Sequence, residues 1–582
     1  MNDSSSQNFT RRNWLGLIST ASLGSGLLAA ATARAAEPVA GQPGHDPAAG
    51  ARVFNIRDFG AKGDGQTLDT AAVQAAIDAC HQDQGGTVLV PAGTFVIGTV
   101  ELKSNVTLHL AAQGTLLGSA HGPDYHAVEA IPLAGDSTLA DGNVGLLFAV
   151  GSENITVEGP GTIDGRGAQF RSPARGEPSP AGITGSHRPY HLLFYQCRNL
   201  RVRDIFLKDS AFHSVRIIQS SQVLLDGIRI RGRVIHNNDG FHFISCEYVH
   251  LTNSDVQSQD DACALFGSCK FITITNCSFS TRWSVFRFGG GVAENIAISN
   301  CLLVEVYGCP IKLRCGPGAR FENISFANLV MRDVTGPISI GNGPRSQHSR
   351  SSGTGVSTNQ PASSESNTEA DAQLPPGVVR NISFHGIRAT VTKPMPLTGS
   401  EFVSTYNPGE IFSCITLNGF DDGVLENITF DDVHITFPGG GTAEQGAVRA
   451  VPKVAGEYYS MGVPPACGLF ARNVRGLTLQ NVRLETATPD LRPALVLDQV
   501  SDTTVNGLAV TGDRGAESVL RFTAVQDVLL SATRLLKPAA VFLPVEGMAN
   551  GGITLDGGDI SKAATPLIFK DGAEAKSVKW RA

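Results

Sequence analysis

The stretch VHLTNSDVQSQDDACALFGSCKFITITN, residues 249–276, contains one short strand pattern twice. The first copy, VHLTN, ends at Asn253, and the second copy, ITITN, ends at Asn276. A further copy ends at Asn300, so the three Asn residues recur at an almost constant spacing along the chain. Short strands at such a steady spacing indicate a solenoid, in which each repeat buries its apolar face against the next repeat.

The same pattern recurs along most of the chain as an Asn followed by alternating apolar residues. Copies begin at Asn105, Asn154, Asn199, Asn295, Asn323, Asn381 and Asn427. Asn tolerates a left-handed backbone, and stacked amides can hydrogen-bond from coil to coil. A propeller or sandwich would need longer repeats or tight hairpin signals, which this sequence lacks. We therefore predict an all-β fold, a single-stranded right-handed parallel β-helix.

The composition excludes some classes of partner. The chain has 582 residues, of which 42% are hydrophobic and 17% are charged, and its net charge is −7. An acidic body argues against nucleic acid or an anionic membrane as partner. An acidic polysaccharide stays open, because a local basic cleft can sit on an acidic protein.

The N-terminus has the features of an export signal. Residues 10–15, TRRNWL, resemble a twin-arginine motif, an apolar stretch follows, and Ala33-Arg34-Ala35 offers a cleavage site. An uncleaved membrane anchor is the alternative. We predict a signal over residues 1–35 and a secreted or periplasmic protein, without integral membrane association once the signal is removed.

The rest of the chain divides into a linker and one long domain. Residues 36–52 are rich in Pro, Gly and Ala and indicate a linker. Residues 53–582 are predicted to form the β-helix, with a short helix over Ala71 to Cys80 as its N-terminal cap and with Asp69 and Thr70 offering an N-cap. The Ser- and Gly-rich segment 343–377 is predicted to be a flexible loop insertion, with no role or as a lid.

The chain contains 11 cysteines and no CxxC pair, which argues against a zinc site or thioredoxin-like chemistry. We expect mostly buried thiols and one or two disulfides. Cys263, Cys269, Cys309 and Cys315 are the candidates for these disulfides.

Three carboxylates are the candidate catalytic groups. Because one coil is about as long as the gap from Asp239 to Asp260, we expect these two residues to stack directly and Asp261 to lie beside them. Three carboxylates on coils about 4.8 Å apart cannot all ionise easily, so one pKa should rise. Such a set suits glycoside hydrolysis, in which one carboxyl group protonates the leaving oxygen and another activates water. The alternative is that they are ordinary Asp residues at solenoid turns.

Cationic side chains follow on the next two coils. Arg287 is on the first of these coils, and Lys312 and Arg314 are on the second. Cations near the carboxylates favour an acidic sugar as substrate, because a guanidinium can hold a carboxylate through two hydrogen bonds.

Several short motifs, in order, carry a family resemblance that covers about Val53 to Val334. They are DFGAKGDG at 58–65, GTIDG at 161–165, RP at 188–189, NNDG at 237–240, DD at 260–261 and IK at 311–312. On these residues the chain resembles glycoside hydrolase family 28, the polygalacturonase-like pectin hydrolases, whose fold is a pectin-lyase-like β-helix. The resemblance implies no metal and no cofactor.

The resemblance also implies roles for particular residues. Asp260 would be the general acid, while Asp239 and Asp261 would position and activate water in an inverting displacement. The chain has Asn238 where the family has Thr in its NTD motif. Lys312 matches the lysine of the RIK motif.

Two family motifs are altered in this chain. No His stands in residues 283–289, where the GHG motif should fall, and Pro310 replaces the Arg of RIK. Arg287 or Arg314 is a candidate for the missing cationic role. His242 or His236 is a candidate for the missing imidazole, although His236 is as well explained as a turn histidine.

The residues leave three functions open. The leading hypothesis is a secreted hydrolase, usually monomeric in this fold, acting on a galacturonate- or rhamnogalacturonan-containing polysaccharide. A polysaccharide lyase would need a base and a cation such as Ca²⁺, which Asp260 and Asp261 could bind. The third possibility is a catalytically inactive carbohydrate-binding β-helix.

Overall fold

The structure, a computed structural model, describes residues 50–131, 143–173, 177–183, 187–343, 374–401, 408–420, 423–456 and 458–581. These residues lie within one compact unit, Ala48–Ala582. The predicted export signal, most of the predicted linker and all but the ends of the predicted loop at 343–377 lie outside the described residues. Within the described ranges, no helix is long and apolar enough to span a bilayer.

The described residues form 39 strands, which make up one sheet system. The first coils contain β1 Val53–Asn55, β2 Asp64–Leu68, β3 Gly86–Val90, β4 Gly93–Ile97, β5 Val100–Glu101, β6 Val106–Leu110, β7 Gly114–Gly118, β8 Gly145–Val150, β9 Glu153–Glu158, β10 Thr162–Asp164, β11 Tyr190–Tyr195, β12 Arg198–Arg203 and β13 Phe206–Lys208. The middle coils contain β14 Val215–Ile218, β15 Ser221–Asp226, β16 Arg229–Gly232, β17 Phe241–Ile244, β18 Glu247–Thr252, β19 Asp255–Ser258, β20 Cys263–Phe266, β21 Lys270–Thr275, β22 Ser278–Thr281, β23 Phe286–Gly289, β24 Val292–Val306, β25 Ile311–Arg314, β26 Arg320–Val334 and β27 Ile338–Gly341. The last coils contain β28 Val378–Val391, β29 Ile415–Asn418, β30 Leu425–Phe437, β31 Leu469–Thr486, β32 Leu495–Asn506, β33 Ala509–Val510, β34 Leu520–Thr523, β35 Gln526–Leu535, β36 Ala539–Glu546, β37 Gly551–Asp559, β38 Ala563–Lys570 and β39 Val578–Arg581.

In the ranges that the structure describes, helices are few and short. The α-helices are α1 Thr70–Gln82, α2 Ala443–Gly446 and α3 Tyr458–Met461, and the 3-10 segments are Ile56–Phe59, Gly122–Asp124, Gly167–Phe170, Pro408–Phe412 and Ala575–Ser577.

Each strand of the middle coils pairs in parallel with the corresponding strand of the next coil. β14 pairs with β17, β17 with β20, and β20 with β23. Alternate residues of each strand point inward, so apolar side chains from successive coils stack into one continuous core. Within it, the rings of Phe326, Phe384 and Phe430 stack at 5.1 and 4.8 Å between centroids. The predicted parallel β-helix is confirmed.

The recurring Asn residues form the predicted ladder at one turn. Asn154 donates its amide to the side chain of Asn105, and Asn199 donates to Asn154, both at 2.8 Å. Asn381 and Asn427 continue the ladder in the later coils at 3.1 Å. All of these residues have left-handed backbone with φ between 53° and 66°, which explains why Asn is preferred there.

Helix α1 packs against β1 and β3 at the start of the β-helix. Its apolar side, with Val73, Ala76, Ile77 and Cys80, is buried in the core as its spacing predicts. Asp69 precedes the helix, but its carboxylate makes no capping bond. It instead accepts the backbone N–H groups of Lys62 and Gly63 at 2.7 and 3.0 Å, so it fixes the preceding Gly-rich turn.

All eleven cysteines fall in the described part of the chain, and all are buried with no disulfide among them. The expectation of buried thiols is therefore confirmed. The expected disulfides among Cys263, Cys269, Cys309 and Cys315 are not formed: the first two and Cys315 occupy apolar core positions in place of aliphatic side chains, and the buried Cys309 thiol donates to the Ile311 carbonyl at 3.1 Å.

Candidate active site

The strand register decides which carboxylates stack. Phe241 of β17 pairs with Cys263 of β20 on the next coil. Counting back equally along both strands places Asp239 beneath Asp261, and the N–H of Gly240 accordingly donates to the Asp261 carbonyl at 2.9 Å. The expectation that Asp239 and Asp260 stack directly was wrong by one position.

Asp260 is the most exposed of the three carboxyl groups. It lies one coil above Asn238, whose carbonyl accepts its backbone N–H at 3.1 Å. The carboxyl oxygens accept hydrogen bonds from the Asn237 side chain at 3.2 Å and the Asp261 backbone N–H at 2.9 Å. Thr281 on the next coil donates its hydroxyl to the Asp260 carbonyl at 2.5 Å. Asp260 is therefore held on both sides while it stays partly exposed.

Asp261 is buried and bound to a cation. Its carboxylate accepts Nη1 of Arg287 at 2.7 Å and the backbone N–H of Ser284 at 3.2 Å. Both donors come from the next coil, so the β-helix repeat itself fixes the direction in which this carboxylate points.

Asp239 is buried at 6% exposure and lies against two histidines. Nε2 of His213 is 3.6 Å from Oδ1 of Asp239, and Nδ1 of His242 is 3.6 Å from Oδ2. The two rings stack at 4.7 Å between centroids, with 2.9 Å between their Nδ1 atoms. His242, predicted to bind substrate, is only 5% exposed and contacts Asp239 instead.

His213 is a site residue that the sequence analysis missed. Val215 pairs with Phe241, so counting back equally along these two strands places His213 directly below Asp239. Looking one coil before Asp239 in the sequence, at the position that stacks beneath it, would have found His213. His236, the other histidine considered, contributes its backbone carbonyl to Nη1 of Arg188 at 2.9 Å.

The pKa values of two carboxyl groups are raised in this cluster, and those of the two histidines are lowered. Burial, followed by the charges of Asp260 and Asp261, raises the pKa of Asp239 well above its usual value. Burial and the Asp261 carboxylate raise the pKa of Asp260 to about 6. Burial lowers the pKa of both His213 and His242 well below that of free histidine, so both rings are neutral at pH 7.

Asn238, predicted to bind substrate, is fully buried. Its amide donates to the carbonyls of Ser210 and Phe212 at 2.6 and 3.0 Å, and its oxygen accepts the N–H groups of Val234 and Ile235 at 3.3 and 3.2 Å. These four backbone bonds make it a support for the turn that presents Asp239.

The cationic residues form one ladder along the same sheet. The register aligns Arg216 with His242, then with Ala264, Arg287 and Lys312 on the next coils. Arg216 is fully buried and donates to the hydroxyl of Tyr190 at 2.7 Å. Arg287 and Lys312 therefore lie on strands stacked above β17 and β20, which begin just after the turns that carry the carboxylates.

Lys312 and Arg314 differ from the expectation in what they contact. Lys312 is 1% exposed, and its Nζ lies 4.8 Å from the ring centre of Trp283. Arg314 is directed to the later part of the chain, where its Nη2 donates to the hydroxyl of Ser460 at 3.4 Å.

A cleft opens beside Trp283 and is walled by segments far away in sequence. Its lining includes Glu410, Ser413 and Tyr458, from two excursions that leave the regular coils. Glu410 binds Arg282 on the coil above Asp260 at 3.1 Å, and both side chains are about 5% exposed. This buried pair attaches the wall to the coils that carry the carboxylates.

Two groups of side chains meet the donor requirement of a metal site. His213, Asp239 and His242 each offer an atom within 4.8 Å of the others, as do Asp239, Asp260 and Asp261. Two observations oppose a cation. Arg216 and Arg287 already place positive charge beside Asp239, and the ring nitrogens Nδ1 of His213 and His242 lie 2.9 Å apart, where they hydrogen-bond to each other.

The fold and the site together define a class, the parallel β-helix proteins with a cluster of carboxyl groups on adjacent coils. Residues 80–359 match the family model described as Glycosyl hydrolases family 28. This match confirms the resemblance recognised in the sequence.

The relatives share this segment at low identity. The exo-poly-α-D-galacturonosidase of Dickeya chrysanthemi is 27% identical over 339 residues, which are 49% of this chain and 56% of the relative. Polygalacturonase-2 of Solanum lycopersicum is 26% identical over 307 residues, 50% of this chain and 63% of the relative. The chain thus spans little more than half of the length of these two relatives. The family 28 exopolygalacturonase of Yersinia enterocolitica is similar in structure with a TM-score of 0.49 at 20% identity, covering 82% of this chain and 78% of that one.

Proposed function

We propose that the protein is a glycoside hydrolase that cleaves glycosidic bonds in a pectin-like polysaccharide. The observation that carries the proposal is the cluster of three carboxyl groups on two adjacent coils, in which one is partly exposed and two are buried. The match of residues 80–359 to the model of family 28 supports the same reaction type.

The environments of the carboxyl groups suggest their roles. Asp260, with a pKa of about 6 and the greatest exposure, is suited to protonate the leaving oxygen. Asp261, fixed by Arg287 and the Ser284 N–H, is suited to orient a water molecule and to accept its proton. Asp239 lies behind Asp261 and, with the imidazole of His213, completes the polar wall around that water.

We propose inversion at the anomeric carbon, as the family resemblance implies. The carboxyl oxygens lie within 4.8 Å of one another, closer than the roughly 6.5–9.5 Å of most inverting pairs. Water would therefore approach from the open side of the three groups rather than between two of them. Proton NMR of the first product formed tests this directly: inversion gives the anomer opposite to that of the substrate linkage.

Purified protein incubated with pectin, homogalacturonan and rhamnogalacturonan tests the proposed activity. A hydrolase releases reducing ends without unsaturated uronides, and a chelator does not change its rate. Unsaturated products, detected by ultraviolet absorbance, would assign a lyase instead. If no polymer of this panel is cleaved, a catalytically inactive carbohydrate-binding protein is the better description.

The pH dependence of turnover follows from the state required of Asp260. The general acid must carry its proton, and this proton is lost as pH rises through about 6. We expect kcat/KM to fall by about tenfold per pH unit above this value. Initial rates between pH 4 and 8 measure this fall in kcat/KM. A value that stays level up to pH 8 contradicts the assignment of Asp260 as the general acid.

Export is part of the proposal and rests on the sequence motif at residues 10–15. Fusing residues 1–52 to a reporter that is active only after folded export tests it, with Arg11 and Arg12 both replaced by Lys as the control. The solution mass of the purified chain tests the expected monomer.

A further inference from the structure

Two histidines form a hydrogen-bonded pair behind Asp239. His242 is on β17, and His213 is on the turn one coil below, directly beneath Asp239. Their Nδ1 atoms are 2.9 Å apart, and their ring planes are inclined by 18°. Both rings are buried, and they pack against Phe212 and Phe266 with ring centroids 4.4 and 4.9 Å apart. The surrounding aromatic side chains therefore hold each imidazole in place.

Both rings are neutral at pH 7. Burial is the largest cause that lowers the pKa of each ring well below its usual value, and the positive charge of Arg216 adds to it in both cases. A neutral imidazole carries a proton on one nitrogen and a lone pair on the other. A hydrogen bond between two Nδ1 atoms therefore requires the proton on Nδ1 of one ring and on Nε2 of the other. Two arrangements of His213 and His242 meet this requirement.

The surroundings of the two Nε2 atoms decide between these arrangements. Nε2 of His213 is 3.6 Å from Oδ1 of Asp239. Nε2 of His242 is buried and has no hydrogen-bond partner among the described residues. A proton on Nε2 of His242 would be a buried donor without an acceptor, and it would leave a bare nitrogen of His213 facing a carboxyl oxygen. A proton on Nε2 of His213 instead lies beside an acceptor oxygen, at a distance slightly longer than a hydrogen bond.

We propose that His242 and His213 act as one positioning unit for Asp239. His242 donates its Nδ1 proton to Nδ1 of His213, which fixes the proton of His213 on Nε2, next to the Asp239 carboxyl group. The inference deepens the proposed function and rests on it, because Asp239 lies beside the water that Asp261 is proposed to orient. Arg287 holds Asp261 through an ion pair. The histidine pair supports Asp239 with a neutral donor, so its carboxyl group keeps its direction without a second buried ion pair.

Neutron diffraction from crystals of the deuterated protein at pH 7 locates these protons directly. We expect deuterium on Nδ1 of His242 and on Nε2 of His213, with the other two ring nitrogens bare. Deuterium on Nδ1 of His213, or on both nitrogens of either ring, overturns the inference. This measurement needs no substrate, so it decides the inference even if no polymer is cleaved and the proposed function fails.

Two substitutions at His242 separate the hydrogen bond from the volume of the ring. The Asn amide stands near the position of Nδ1, so His242→Asn keeps a donor for His213 and should retain kcat within about threefold. The Gln amide stands near the position of Nε2, so His242→Gln fills the space but moves the donor away. We expect its kcat to fall about ten- to hundredfold with KM changed little, because a displaced catalytic group costs a factor of this order. A packing role would favour the larger Gln, and a Gln variant at least as active as the Asn variant overturns the inference.

Phenylalanine variants show whether the two histidines act as one unit. His213→Phe and His242→Phe keep a ring at each position and remove the hydrogen bond. Because His242 acts through His213, the double variant should have the same kcat as His213→Phe alone. Losses that multiply would mean two independent roles and would contradict the proposal. Reducing-end assays on whichever pectic polymer the wild type cleaves measure these rates.

His191 is the matched control, because it is as buried as the pair but is not part of the carboxylate cluster. Its Nε2 donates to the Lys208 carbonyl at 2.9 Å, so here Gln, and not Asn, keeps the donor. We expect His191→Asn to melt at a lower temperature than His191→Gln, while both keep kcat within about twofold of the wild type. If His191→Asn lost as much kcat as His242→Gln, removing any buried histidine hydrogen bond would disturb the site, and the specific role of the pair would be refuted.

Discussion

Asp260→Asn is expected to reduce turnover by about a thousandfold while leaving the fold intact. The amide has the shape of the carboxyl group, and its single oxygen can still accept one of the two present hydrogen bonds, the one from the Asp261 backbone N–H. It cannot give a proton to a leaving oxygen. The loss should therefore appear in kcat, with KM changed little, in reducing-end assays on whichever pectic polymer the wild type cleaves.

The matched control is Asp255→Asn, slightly earlier in the same coil. Asp255 lies on β19, half exposed, where it binds Arg231 at 3.4 Å and the Ser278 hydroxyl at 2.9 Å. We expect its turnover to stay within about twofold of the wild type, since surface ion pairs of this kind contribute little. Equal losses in both variants would show that removing any carboxylate from these coils disturbs the structure, and would remove Asp260 from its role.

The same substitution should not lower stability. Because the folded-state pKa of Asp260 is raised from 3.8 to about 6, the folded protein disfavours the charged form more than the unfolded chain does. Stability is therefore lost as pH rises from about 4 through 6, and Asn removes this loss. Thermal unfolding at pH 7 should show Asp260→Asn melting at or above the wild-type temperature, a common result where an active site carries strain.

The coil and its ladder could be predicted because their cause is local. Each Asn at the turn is selected by its own left-handed backbone and by the neighbour one coil away, as for Asn154 on Asn105. The repeat then carries the pattern along the chain without knowledge of distant contacts. The exact register was harder to predict, because coils differ slightly in length. An error of one position made Asp260 the predicted partner of Asp239, whereas the structure places Asp261 there.

The contacts of the charged residues could not be predicted from spacing. Arg287 and Lys312 were placed correctly on adjacent coils, yet one binds Asp261 and the other lies behind Trp283. These outcomes depend on side-chain direction and on walls built from Glu410 and Tyr458, which lie several coils further along the chain. Such excursions have no period, so the sequence gives no signal of where they return.

The largest expected loss of stability is at Arg492, which holds these walls together. Its guanidinium binds Asp490 at 2.9 Å, and the two side chains are 2% and 1% exposed. It also donates to the carbonyls of Phe412, Pro464 and Ala466, at 2.7, 3.3 and 3.2 Å. One buried side chain thus joins the end of segment 408–412 to the segment that follows α3.

Arg492→Met keeps much of the volume but leaves the Asp490 carboxylate buried without its cation and three carbonyls without their donor. Removing one partner of a buried ion pair costs about 3–5 kcal/mol, so we expect a loss of this size in the free energy of unfolding, measured in denaturant. The matched control is Arg388→Met, whose partner Asp432 and whose own side chain are about half exposed. That change should cost less than about 1 kcal/mol.

Because Arg492 joins the two excursions, its loss should also reach the cleft. Ser413 and Tyr458 lie next to the joined segments and line the cleft beside Trp283, so loosening them should raise KM before the β-helix itself unfolds. Hydrogen exchange would show the order: faster exchange in residues 408–420 and 458–466, with β17 and β20 unchanged. Uniformly faster exchange would mean instead that the walls and the coils unfold as one unit, and the carboxylates would then depend on Arg492 as much as on their own register.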